Sequence, residues 1–161
     1  MISLIMILVI SVLAVTSMRN VASSEGVSGN VRTTELATQA ADIALRHCES
    51  SVVKHMDAVA IAATDLPVAG IVAAGTDAWK NLGTWDTTST PFQLDAQFVG
   101  GTATFVRPPE CMVELLSGAV ATRPASFVVT ARGFGPEVRT AAGAGRPVGT
   151  VVWLQSTLDF Q

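Results

Sequence analysis

The chain opens "MISLIMILVISVLAVTSM". From Met1 to Met18 it carries no charge, and Ser3, Ser11, Thr16 and Ser17 are its only hydroxyl-bearing breaks. Arg19 is the first charged residue. As an α-helix this run spans ~27 Å at 1.5 Å per residue, just short of the ~30 Å hydrocarbon core of a bilayer. A helix apolar on every side cannot rest one face on a core and offer the other to water. It needs lipid, or other apolar helices, all round. Leu4, Ile5, Leu8, Val9, Val12 and Leu13 are the expected contact residues in either setting. A cleaved signal peptide calls for a basic n-region and a small-residue cleavage site, and neither is clear here. A simple membrane anchor is the second possibility, and a helix that leaves lipid to pack on similar helices is the third.

No proline interrupts the chain before Pro67, and the breakers in that stretch are Gly26 and Gly29 in "SSEGVSGNVR". Each costs about 1 kcal/mol relative to Ala in a helix interior, so this is where a long helix can loosen or kink. Beyond the glycines an apolar stripe follows at Ala41, Leu45, Cys48, Val52, Met56 and Val59. Its steps of three and four mark an amphipathic helix. Gln39, Asp42, Arg46, Glu49 and Lys54 fall away from that stripe. The expectation is one long helix in two parts, residues 1–24 apolar all round and residues 25–59 apolar on one side, followed by a head over residues 60–161.

The head supplies what the stripe rests on. "ECMVELL", "ASFVVTARGFG" and "GTVVWLQSTLDF" read as strands rich in β-branched and aromatic residues. "TPFQLDAQFVGGTATFVRPP" reads as a hairpin of two alternating runs around Gly100-Gly101. "GPEVRTAAGAGRPVG" is a loop punctuated by glycine and proline. An antiparallel sheet of about four or five strands, its apolar face on the helix, follows. The fold class is therefore α+β. Trp79 and Trp85 in "DAWKNLGTWD" either cover one edge of the core or form an exposed partner patch.

Cys48 and Cys111 are the two cysteines of the chain. Their spacing fits no CxxC motif. In an exported chain they suit one disulfide stapling helix to sheet; otherwise they are two unrelated buried thiols.

Chemistry is sparse. A net charge of −3, with Lys54 and Lys80 the only lysines, leaves no basic footprint for nucleic acid. His47 and His55 lie two turns apart, ~12 Å along a helix, too far for one metal ion. The chain has no GxSxG elbow, HExxH or P-loop. Asp57 and Asp65 fit solubilising charges better than an ion site. No catalytic, metal or cofactor residue is expected, and the chain is read as a non-enzyme.

The apolar helix ending "TSMR", "GNVR" before "QAADIALRHCES", then "VTARGFG" and a closing "TVVWLQSTLDF" resemble the PilX-type minor pilins of type IV pili. The resemblance covers both ends of the chain and touches residues 60–91 only loosely. It implies a pilin-like fold, with a long N-terminal helix packed on a C-terminal antiparallel sheet. It implies no catalysis and no cofactor. The implied place is the bacterial inner membrane, single-pass with the head in the periplasm, and then the extracellular pilus near its tip. The implied partners are other minor pilins, the major pilin, a large tip adhesin and inner-membrane lipid before assembly. Where pilins carry an acid near the mature N-terminus, Ile5 stands here, and the first acid is Glu25. No cleavage glycine precedes Met1. A subunit with nothing ahead of it in the filament has no use for that acid, which is the expectation for a tip position. A type II secretion pseudopilin shares the same helix-and-sheet logic, and a membrane-anchored periplasmic binding domain is the alternative from another class.

Overall fold

The computed structural model describes residues 2–86, 90–99, 105–139 and 146–161. Helix α1 runs from Ile2 to Met56. It continues through Gly26 and Gly29, where an added Cβ would meet nothing within 4 Å. It stops before Val59: the Val59 N–H reaches back to the Lys54 carbonyl at 2.9 Å while Ala58 adopts a φ of 51°. That left-handed residue with a six-to-one bond is a Schellman-type ending. It takes Val59 off the apolar stripe and leaves it exposed.

The strands are β1 (Ile71–Val72), β2 (Phe92–Gln93), β3 (Glu110–Ser117), β4 (Ala125–Phe134) and β5 (Val151–Phe160). A short helix α2 (Leu82–Trp85) and three 3-10 turns, Val68–Gly70, Ala78–Lys80 and Ala96–Val99, fill the connections. The sheet order is β1-β3-β4-β5, with β2 also on the outer side of β3. Three predicted strands thus form as β3, β4 and β5, with β4 antiparallel to both β3 and β5. Two expectations need correction. The sheet is mixed, because β1 lies parallel to β3 with Ile71 opposite Val113. The first run of the expected hairpin pairs with β3 instead, Phe92 opposite Cys111, and Ala96–Val99 curls into a 3-10 turn. Gly100 and Gly101 lie outside the described residues.

The chain forms two compact units, one ending at Thr33 and one from Thr34 to Gln161. In the second, the α1 residues Ala44, Cys48, Val52 and Met56 pack on Cys111, Val113, Phe127, Val129 and Ala131 of β3 and β4. The helix backbone comes close at Gly133, where a Cβ would stand 2.1 Å from the Ala37 carbonyl oxygen and 2.4 Å from the Ala41 amide nitrogen. Ala37, Ala40, Ala41 and Ala44 are buried. The alanine run is thus the face that permits a close backbone approach, and the glycine in "TARGFG" is its complement.

The opposite face of the sheet is covered too. Ala78, Trp85 and Met112 form a second cluster, flanked by Val72 and Trp79. This explains why β4 is buried along nearly its whole length and β3 from Glu110 to Glu114, while β5 is not.

Candidate interaction surfaces

In the first unit, every described side chain from Ile2 to Val15 is exposed. The large apolar ones keep 49–78% of their surface in solvent, including Leu4, Ile5, Leu8, Val9, Val12 and Leu13. Soluble monomers rarely present contiguous apolar surface on this scale. The side chains of residues 16–25 and 27 lie outside the described set. No helix among the described residues is long and apolar enough to cross a membrane.

In the second unit, Cys48 and Cys111 are joined in a disulfide, Cα to Cα 6.6 Å apart. It ties α1 to the start of β3, the staple that the helix stripe and strand pattern suggested. Beyond it, the C-terminal turns of α1 clasp the following loop. His47 Nε2–H donates to the Thr64 carbonyl at 2.9 Å and His55 Nε2–H to the Leu66 carbonyl at 2.7 Å. A carbonyl can only accept, so both imidazoles carry a proton on Nε2. Ser51 Oγ donates to the His47 carbonyl and accepts from the Leu66 amide. Lys54 Nζ donates to both carboxylate oxygens of Asp65, at 2.9 and 2.8 Å, and the Ala62 amide donates to one of them. The Lys54 bond above all, then the Ala62 amide, hold the Asp65 carboxyl below its ordinary range against the effect of burial. Asp65 is therefore not a solvated charge, which corrects the solubility assignment. Asp57 is exposed and bonded to Arg123 at 2.6 Å.

The two tryptophans divide. Trp85 is fully buried, donates its indole N–H to the Trp79 carbonyl and meets Trp153 edge-on at 4.8 Å between centroids. Its ring lies in the cluster with Ala78 and Met112. Trp79 is half-buried. With Leu82, Thr130, Trp153 and Gln155 it lines a shallow groove of about 260 Å³ beside β5.

A buried ionic network that the sequence pattern did not announce lies beneath these rings. Glu110 accepts from Arg107 Nε at 3.0 Å through one oxygen and from Arg132 Nε at 2.7 Å through the other. Arg132 also donates to Asp86 at 3.2 Å and to the Trp85 carbonyl. Its guanidinium lies 5.1 to 5.5 Å from the ring centroids of Trp85, Phe134 and Trp153. Glu114 accepts from the Asp77 and Ala78 amides, both at 2.8 Å, and so anchors the Ala78–Lys80 turn to β3. The available signal was a charged residue inside each strong strand: Glu110 and Glu114 in "ECMVELL", Arg132 in "VVTARGF". Each of these charges has a protein partner, as a structural role requires. Among the described residues, no three His, Cys, Asp or Glu side chains gather as a metal site.

Compared with family models, curated proteins and solved structures, the chain matches none.

Proposed function

We propose that this chain is a non-enzymatic minor pilin of the PilX type, which primes type IV pilus assembly and sits at or near the pilus tip with other minor pilins. The observation that supports it best is the helix from Ile2 to Val15, with apolar side chains exposed on all sides, carried on the same α1 whose later turns are stapled by Cys48–Cys111 to a sheet. A helix of this kind satisfies its own backbone in lipid, and it buries the same surface equally well against neighbouring helices in a filament. One segment then serves two solvents, and the head is the part that meets partners: other minor pilins, the major pilin and a tip adhesin. The fold proposed is pilin-like, with the mixed sheet as its β-layer.

Deletion of the gene, with surface pili counted and shed filaments analysed by mass spectrometry, tests this. Few or no pili, with traces of the chain in wild-type filaments, is the expected result. Normal pili with the chain confined to membranes would overturn it in favour of a secretion pseudopilin or an anchored binding domain. Leu8→Asp adds a second reading: pili should be lost while the head stays folded.

A further inference from the structure

Strand β5 is a margin of the sheet. Among the described residues it pairs along its whole length with β4, from Phe160 opposite Ala125 to Val151 opposite Phe134, and with no strand on its other side. Such a row of unpaired amides and carbonyls is a template for another strand. Sheet margins are ordinarily blunted by shortness, lysine, proline or a bulge. "VVWLQSTLDF" is ten residues long, has no Lys, Arg or Pro, and keeps an unbroken register with β4. The other margin is treated differently, since β1 and β2 cap β3.

The seam between α1 and the sheet also stays open along β5. Phe127, Val129 and Ala131 of β4 are fully buried under the helix, whereas their β5 partners Leu158, Ser156 and Leu154 are only half-buried. Glu49 of α1 stands over this seam, its Oε1 accepting from Ser156 Oγ at 2.5 Å. Asp159 is exposed on the opposite face of β5. Nearby cations are engaged: Arg123 with Asp57 and the Phe160 ring, and Arg46 with Asp42, its charge also acting on Glu49, so that one guanidinium faces two carboxylates. The margin is therefore apolar in its seam and acidic at Glu49.

Charge decides the occupant. A second copy, pairing antiparallel about a two-fold axis near Ser156 or Gln155, would bring two Glu49 carboxylates together across the new strand pair, where like charges are unfavourable. We infer that the free margin of β5 is a strand-addition site for an extended segment of a different protein, apolar at alternate positions and carrying Lys or Arg where it passes Glu49. Main-chain bonds supply affinity in this mode, and alternate side chains supply selectivity. The inference stands whether or not the chain polymerises.

The test uses the full chain in detergent micelles and the capped peptide Val-Thr-Val-Thr-Lys-Thr-Val-Thr-Val as probe, read by amide hydrogen exchange over β5. The peptide should slow exchange there. Its version with Glu at the centre should bind about tenfold more weakly, and its version N-methylated on the edge-facing amides should not bind. Glu49→Gln should erase the Lys-over-Glu preference, and the peptide comparison on the unmutated chain does not depend on that variant folding. No protection at millimolar peptide, or equal binding of the Lys and Glu peptides, overturns the inference. So does protection of β5 in the free chain that disappears on dilution, with Ser156→Cys cross-linking chain to chain, because the occupant would then be a second copy.

Discussion

Gly133 of β4 lies directly under Ala41 of α1: a methyl group at 133 would stand 2.4 Å from the Ala41 amide nitrogen and 2.1 Å from the neighbouring Ala37 carbonyl. Both atoms belong to backbone, so nothing can rotate away. Gly133→Ala must push the helix off the sheet and loosen the buried alanines. Overpacking of this kind typically costs ~1–3 kcal/mol, and the backbone contact sets the expectation at the upper end. The urea midpoint of the variant should fall accordingly, with an unchanged slope.

The Cys48–Cys111 bond closes a loop of 63 residues. In the chain-entropy model a loop of that length is worth about 4 kcal/mol, a large share of the stability of a domain this size. Cys48→Ser and Cys111→Ser should each lower the unfolding midpoint to that of the reduced parent protein. Reductant should leave the two variants unaffected. A parent protein whose midpoint ignores reductant would show that packing alone holds helix to sheet.

Legibility in the sequence followed periodicity. α1, β3, β4 and β5 carry long apolar patterns, and all four form where those patterns lie. Phe92–Gln93 was legible as extended chain but not in its pairing, because two residues specify no partner and β3 supplied the better edge. Ile71–Val72 carries no periodicity, so its parallel pairing could not be foreseen. Val59 fits the helical stripe by spacing, yet the turn at Ala58 removes it. The second layer around Trp85 stayed hidden for a different reason. Its organising residues are Glu110, Glu114 and Arg132, charges that ordinary rules place outside a core and that only mutual pairing makes tolerable inside one.

Asp65 gives the clasp at the end of α1 a pH dependence with a definite sign. Its carboxyl titrates below the ordinary range in the folded chain, chiefly through the Lys54 hydrogen bond. Unfolding returns it to about 3.9. The stabilisation is complete above that value and is lost as pH falls through the lower native one. Asp65→Asn should cost ~1–3 kcal/mol at neutral pH, since Lys54 and the Ala62 amide lose their charged partner. It should also flatten the stability profile below about pH 4 relative to the parent. Chemical unfolding measured across the acid range checks both; parallel acid limbs would place the sensitivity elsewhere.

Glu110 holds two buried guanidiniums, those of Arg107 and Arg132. Glu110→Ala removes the carboxylate the two share, leaving Arg132 its longer bond to Asp86, and breaking a buried pair in this way costs ~3–5 kcal/mol. The apolar exchange is different in kind. Replacing Glu110, Arg107 and Arg132 together by residues such as Met and Leu removes the stranded charges and should recover most of the loss. A double-mutant cycle on Glu110 and Arg132 is expected to show strong coupling. Near-additive losses would mean that the rings around Arg132 carry the stability by themselves.

Gly26 and Gly29 separate stability from assembly. A Cβ at either position meets nothing, and both lie inside α1. Alanine there should strengthen the helix by roughly 0.5–1 kcal/mol per site, so the double variant should fold at least as well as the parent and show more helical signal on heating. Selection for helix stability alone would favour alanine at both sites. If the proposed passage from membrane to filament needs this stretch to loosen, the stabilised double variant should be incorporated less well into filaments while its head unfolds at an unchanged midpoint. Counting pili beside a melting curve of the same variant distinguishes the two demands: unaltered piliation would show that the glycines serve no assembly step.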